Sequence, residues 1–309
     1  MGHETIAYAF ENSYMGTLED ANGDGSPDYY TPGADVSAEN LSVQNAAQRI
    51  RVPGQADPYD VIYNNFEGQM SVSGTMTAGN LDWLRAVTGA GSSPYEFQIG
   101  EPASTRWFVG ADPRAGTVER EAMGAIIPQA SINIEQDSEI TFDLTILYGD
   151  ESRNGTLTVG SPIQPTGDPL VFHGAELSIP TSTTKKLPQS TTLQLNSQAR
   201  LLRGFSRHPA AAQMGAHESQ VEFGTIYDAD TGSTSLAYGS TGASAPTNYP
   251  DNGVSGEVTI ADSSGADVVT ATLDGIGADN YDWSNAGNPD EDMLENGTFF
   301  VSSPSIAVS

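Results

Sequence analysis

Residues 131–148, Ser-Ile-Asn-Ile-Glu-Gln-Asp-Ser-Glu-Ile-Thr-Phe-Asp-Leu-Thr-Ile-Leu-Tyr, put an apolar side chain at almost every second position. Ile132, Ile134, Ile140, Phe142, Leu144, Ile146 and Tyr148 hold the even places, and Asn133, Glu135, Asp137, Glu139, Thr141, Asp143 and Thr145 hold the odd ones. A period of two belongs to a strand with one dry and one wet face, and it does not suit an amphipathic helix. At about 3.3 Å per residue an unbroken strand of this length would be exceptional, so a bend or turn is expected at 136–138, where the apolar face lapses.

The same alternation recurs along the chain. Met70, Val72, Gly74 and Met76 follow it, as do Leu193 with Leu195, and Val221, Phe223, Thr225 and Tyr227. Near the end, residues 257–273 read as a hairpin turning at Asp262 to Gly265. Strands dry on one face and wet on the other are those of antiparallel sheets. One helix is expected: Asn80 precedes Leu-Asp-Trp-Leu-Arg-Ala-Val-Thr, where Leu81, Leu84 and Val87 share a side and Gly89 supplies the stop. Trp83 on that helix is expected in the core or an interface.

Charge narrows the function classes. Forty acidic residues face twelve basic ones, for a net charge of -28, and Lys185 and Lys186 are the only lysines. Such a surface repels phosphates, which argues against sequence-specific nucleic-acid binding and against attachment to anionic membranes. Self-repulsion of this size is tolerated in molar salt, where screening acts within about 3 Å. The twelve Tyr, ten Phe and three Trp argue for a packed core over an acidic disordered chain. The composition therefore points to a folded protein of a salt-loving host. There is no cysteine, so disulfides, thiolate metal sites and thiol nucleophiles are excluded. No apolar run reaches the roughly 18 residues of a membrane span, and the first ten residues lack the pattern of a secretory signal. Ile6 breaks a myristoylation motif at Gly2.

No catalytic motif emerges. His3, His173, His208 and His217 lack the spacing of a zinc helix, and neither a phosphate-binding loop nor a nucleophile elbow occurs. The cluster at 288–296 reads as a solvated loop, and Asn154-Gly155-Thr156 and Asn296-Gly297-Thr298 read as turns in preference to glycosylation sites. The segment Asp-Ala-Asn-Gly-Asp-Gly-Ser-Pro-Asp from residue 20 is more specific. Asp20, Asn22, Asp24 and Asp28 fall at the oxygen-bearing positions 1, 3, 5 and 9 of a calcium loop, with Gly25 at the bend. Position 12 is Thr31, and Pro27 and Pro32 oppose flanking helices, so a Ca2+ or Mg2+ ion there would brace a loop and would not signal. The alternative is an Asx/Gly turn without metal. No cofactor is required by any other feature.

The Gly- and Pro-rich stretch at 161–169 suits a linker. Around it the halves echo each other: Leu-Ser-Val-Gln-Asn-Ala-Ala-Gln-Arg-Ile-Arg at 41–51 parallels Leu-Gln-Leu-Asn-Ser-Gln-Ala-Arg-Leu-Leu-Arg at 193–203, and an alternating strand follows each. The expected plan is an N-terminal arm with the ion loop at 1–34, a first module at 35–160, the linker, and a second module at 170–309.

Several ordered runs carry a family resemblance. Tyr-Ala-Phe-Glu-Asn-Ser-Tyr-Met-Gly-Thr-Leu from Tyr8, the strand-plus-helix run Phe66–Gly89, Ala130–Ile140, and in the second half 168–177 and 190–209 resemble tail tube (major tail) proteins of long-tailed viruses. With the acidic balance, the resemblance suggests a siphovirus-like virus of haloarchaea. It implies a mainly β chain of two tandem tail-tube-type β-sandwich or barrel modules with a flanking short α-helix, whose strands contribute to an intersubunit β-barrel. It also implies no enzymatic activity, and a structural role in which stacked rings form a channel for DNA during genome delivery. Six modules per ring make the partner a second and third copy of this chain in a pseudo-sixfold homotrimer, with a homohexamer as the alternative. Tape measure and tail terminator proteins are the further partners; DNA passes without specific binding, and no membrane is involved. Synthesis in the host cytoplasm and residence in the virion tail follow. Glu135, Asp137, Glu139 and Asp143 are then candidates to face the lumen, although alternation alone leaves open the outer, salt-facing surface. The competing reading is a calcium-braced β-sandwich of a halophile that binds a surface or a glycan. An acidic hydrolase is the third, and would need a pocket of perturbed carboxylates.

Overall fold

The computed structural model describes residues 4–112, 116–227, 236–238, 254–286 and 291–309. It is mainly β, with 54% strand and 4% helix. In chain order the strands are β1 (Glu4–Phe10), β2 (Ala34–Gln44), β3 (Ala47–Ile50), β4 (Asp60–Tyr63), β5 (Glu67–Thr75), β6 (Tyr95–Glu96), β7 (Thr105–Ala111), β8 (Val118–Glu135) and β9 (Thr141–Tyr148). They continue with β10 (Asp150–Asn154), β11 (Ala175–Ser178), β12 (Pro188–Asn196), β13 (Arg200–Leu202), β14 (Ala211–Gln213), β15 (Ser219–Ile226), β16 (Gly256–Ala261), β17 (Asp267–Ser284) and β18 (Leu294–Val308).

One large antiparallel sheet runs β2-β5-β9-β8-β12-β15-β18-β17-β16-β11, with β1, β6, β7 and β10 attached beside this path. Among the described residues the sheet does not close on itself. Residues 34–148 thus supply β2-β5-β9-β8, residues 188–308 supply β12-β15-β18-β17, and β8 joins β12 along 129–135. Two small hairpins, β3–β4 and β13–β14, stand apart from the sheet.

The alternating segments fold as their period requires. Ile132, Ile134, Ile140, Phe142, Leu144, Ile146 and Tyr148 are buried in the main core, and the odd-numbered partners lie outside it. The turn between β8 and β9 closes where expected, with Ser138 N–H donating to the Glu135 carbonyl at 3.2 Å. Met70, Val72, Leu193, Leu195, Val221 and Phe223 join the same core, while Tyr227 is half-buried. The late hairpin turns at Asp262–Gly265, whose carboxylate accepts N–H bonds from Ser264 and Ala266.

Helix α1 (Trp83–Thr88) packs Trp83, Leu84, Ala86 and Val87 into the core, with Trp83 5.3 Å from the Phe142 ring. Gly89 ends it in the left-handed conformation (φ 77°), as the sequence predicts. Its start differs from expectation. Asp82 occupies the cap position, and Asn80, at φ 61°, instead donates its amide to the carbonyls of Thr31 and Ile163. Asn80 thereby ties the 161–169 segment to the first half, and Ile163 also bridges Tyr30. Within 1–34, β1 is a core strand paired with β7, and its Tyr8 stacks on Trp107 at 5.1 Å.

Two further expectations are corrected. Asn296-Gly297-Thr298 is no turn but the interior of β18, paired on both sides. The acidic segment ending at 296 is not uniformly solvated: residues 288–290 lie outside the described residues, but Glu295 is buried, with Oε2 3.7 Å from Nζ of buried Lys185. Alternation carries Glu295 inward because β15 and β17 flank β18, and a buried carboxylate needs a cation close by.

Candidate functional site

Residues opposite one another across a ladder share a face, so the wet face can be followed from one half of the sheet to the other. One row runs Ser73, Asp143, Ser131, Gln194 and Gln220; the next runs Thr141, Asn133, Thr192, Glu222 and Thr298. Glu39, Glu67, Glu135, Asp143, Glu222 and Asp282 all emerge on this face. Neither Lys nor Arg occurs in β2, β5, β9, β12, β15, β17 or β18, nor in β8 beyond Arg120. Over these rows the face is a field of carboxylates, hydroxyls and amides, and it turns apolar at one end, at Ile126, Leu147 and Phe300.

Of the four predicted lumen residues, Glu135 and Asp143 stand on this face, where Asn133 Nδ2 donates to Asp143 at 2.8 Å. Asp137, at φ 59°, and Glu139 lie in the turn at its rim; Thr75 Oγ1 donates to Glu139 at 3.1 Å. The structure brings Asp20, Asn22, Asp24 and Asp28 into one loop. There Asp20 accepts N–H bonds from Gly23, Asp24 and Gly25, Asp24 accepts one from Ser26, and Asp28 accepts those of Ala21 and Asn22. Those amides hold the loop in an Asx-rich turn, and the same four side chains are the ones that would hold Ca2+ or Mg2+. Among the described residues no group of three or more His, Asp or Glu is arranged to hold a metal ion.

The sheet has two open ends along its eight central strands. β2 pairs with β5 on one side, and among the described residues no strand covers its other side. β17 pairs with β18 throughout; among the described residues β16 covers its first part, 267–273, Ile276 N–H donates to the Val254 carbonyl, and Tyr238 meets Tyr281 edge-on at 6.0 Å. The ladder fixes the direction in which each amide points. Met76 N–H donates to the Ile140 carbonyl, so Met70 and Val72 bond toward β9, Gln69 and Ser71 bond toward β2, and the Val43 amide faces away from the sheet. Likewise Tyr227 N–H donates to Met293, which leaves the amides of residues 281 and 283 pointing away from β18. Exposed edges of this kind are templates for pairing with another chain. Val43 and Trp283, 36% and 48% exposed, mark the two edges with apolar side chains.

Sequence reasoning missed the two hairpins. Every residue of β3 and β4 is exposed, including Ile50, Val61, Ile62 and Tyr63. β13–β14 packs instead on Ile126 and Leu147 through Ala199, Leu201, Ala212 and Met214. Five arginines, Arg49, Arg51, Arg200, Arg203 and Arg207, lie on these hairpins; Asp57 and Asp60 offset the two on β3–β4, whereas no acid within β13–β14 offsets its three. A signal was present in the two short runs Gln-Arg-Ile-Arg and Asp-Val-Ile-Tyr, which bracket a Pro/Gly-rich loop. Beside the second half an apolar groove of about 680 Å3 runs between Phe97, Ile99, His217 and Phe300. His217 stacks on Phe97 at 4.6 Å, and burial holds its imidazole below the usual histidine range.

No protein-family model matches this chain, and no curated protein is significantly similar to it.

Proposed function

We propose that this chain is a self-assembling virion protein, a tail tube subunit whose copies join edge to edge into rings and stack into a channel for DNA. The observation that carries the reading is a four-strand series present twice, end to end, in one open sheet: β2-β5-β9-β8, then β12-β15-β18-β17.

The two series correspond in detail, which supports two tandem modules. Glu67-Gly-Gln-Met-Ser-Val aligns with Glu218-Ser-Gln-Val-Glu-Phe. The register shifts between Ile126 and Gln129 against β9, and at the matching place between Ala278 and Asn280 against β18. Gly124 and Gly275, which fall at equivalent positions, both take positive φ, 60° and 67°. β1 on β7 likewise matches β11 on β16.

Within the chain, the end of the first series meets the start of the second: Leu193 pairs with Ile132 and Leu195 with Ala130. Between chains the same junction would place β2 of one copy along β17 of the next, with Leu41 opposite Trp283, Ser42 opposite Asp282 and Val43 opposite Tyr281. Such a head-to-tail contact closes into a ring when the rotation permits. Three copies contribute twenty-four strands; at about 4.8 Å each the circumference is about 115 Å and the diameter roughly 37 Å before strand tilt widens it. With the wet face inward, Glu135, Asp143, Glu222 and Asp282 line the bore, and repulsion of phosphates lets DNA slide without being held. No bond chemistry is involved and no cofactor is required.

Cysteine pairs test this cleanly, because the chain has none of its own. Ser42 and Asp282 form a non-hydrogen-bonded pair in this register, with Cα atoms about 4.5 Å apart, close enough for a disulfide. A chain carrying both Ser42→Cys and Asp282→Cys is expected to oxidise into covalent multimers that end at the closed ring, while either single variant does not. Monomers alone after oxidation, at every concentration, would defeat the proposal.

A further inference from the structure

Every residue of β3 and β4 is exposed, with the Arg207 guanidinium 5.9 Å over the Tyr63 ring, whereas the β13–β14 hairpin is seated on its own chain. β13–β14 lies over Ile126 and Leu147, with Ala199, Leu201, Ala212 and Met214 turned toward them. Arg203 pins it there, donating to the Phe66 carbonyl at 2.7 Å and to the Glu67 carboxylate at 3.1 Å.

Under the module correspondence, each part of that seat has a counterpart in the second half. Leu147 faces Gln69 and Phe300 faces Gln220; Ile126 opposes Leu147 and Gly277 opposes Phe300. His217 and Glu218 correspond to Phe66 and Glu67. This second seat is uncovered among the described residues. Phe300 is 45% exposed and lines the groove of about 680 Å3, and a Cβ at Gly277 would have nothing within 4 Å.

The hairpin that corresponds to β13–β14 is β3–β4. Gln48 opposes Ile62 and Arg49 opposes Val61, as Arg200 opposes Gln213 and Leu201 opposes Ala212. Arg51 then stands where Arg203 stands, Arg49 where Leu201 does, and Val61 and Tyr63 where Ala212 and Met214 do. These larger side chains suit the wider opening left by Gly277 in place of Ile126.

We propose that the β3–β4 hairpin of one copy seats in the Phe300 groove of its neighbour, with Arg51 donating to the Glu218 carboxylate and the His217 carbonyl. The occupant is a second copy of this chain, and the inference rests on the edge-to-edge reading, since pairing β2 along a neighbour's β17 brings the base of the hairpin to that groove. It explains why an apolar hairpin and an apolar groove are both exposed in one molecule.

Charge reversal tests it in the full chain at moderate salt. Arg51→Glu and Glu218→Arg should each raise the concentration at the midpoint of assembly by about tenfold or more, since like charges then meet across the contact. Combining them should restore assembly to within about threefold of the unaltered chain. Light scattering against concentration reads this, with thermal melts of the dilute monomer checking that each variant folds. Single variants that assemble like the unaltered chain, or a double variant no better than the worse single one, would overturn the hairpin seat. If the Ser42 and Asp282 cysteine pair still cross-links in that case, ring formation stands and only the seat falls. An unaltered chain that never assembles removes both.

Discussion

Val43→Pro should abolish assembly while leaving the monomer folded. The Val43 amide points away from β5, so proline removes no bond of the β2–β5 ladder, and an edge strand tolerates it there. In a ring that amide donates across the copy-to-copy junction, and the pyrrolidine ring would intrude on the neighbour's backbone as well as removing the donor. Because a closed ring repeats the same junction at every interface, a loss of about 3 kcal/mol at each would remove rings at any accessible concentration. Gln69→Pro, one strand inward, is the contrasting control. Its amide bonds toward β2, so it should unfold the sheet edge and lower Tm markedly. Size-exclusion chromatography with light scattering, together with circular dichroism melts, separates the two outcomes.

Lys185→Met should destabilise the monomer by about 3–5 kcal/mol, the cost of breaking a buried ion pair from one side. Both side chains are about 1% exposed, Lys185 Nζ lies 3.7 Å from Glu295 Oε2 and 5.8 Å from the centre of the Phe223 ring, and Glu295 Oε1 has no hydrogen-bond partner. Methionine keeps most of the volume but leaves the carboxylate without its cation. Adding Glu295→Leu should recover most of the loss, because a well-packed apolar pair often equals a buried ion pair. Denaturant titrations of the two variants measure the difference. Equal stabilities for the single and double variants would show that the pair is not coupled.

The strands that the sequence reveals are those with one dry and one wet face. Residues 131–148 and 219–226 alternate because water lies on one side of them. The first half of β8 hides its period, because Ile126 and Ile127 point to opposite faces and both are buried. Pro128 within that strand argues against a central position, yet the register shift between Ile126 and Gln129 gives it a place without a ladder bond. Glu295 was misread for a related reason: a run of Asp and Glu suggests solvent, and only the pairing of β18 on both sides shows that alternation turns this one carboxylate inward. The β3–β4 hairpin is hard to read because both faces of its short runs are exposed, so no buried face marks their period. The acidic wet face was readable strand by strand. Its continuity across both halves depends on the β8–β12 junction, which no local pattern encodes.

Electron microscopy of the purified chain in high salt, over a range of concentrations, tests the central claim most directly. Rings with a central opening and the mass of three chains of 32.5 kDa, alone or stacked into tubes, are expected. A particle of one chain's mass at every salt level and concentration would contradict it.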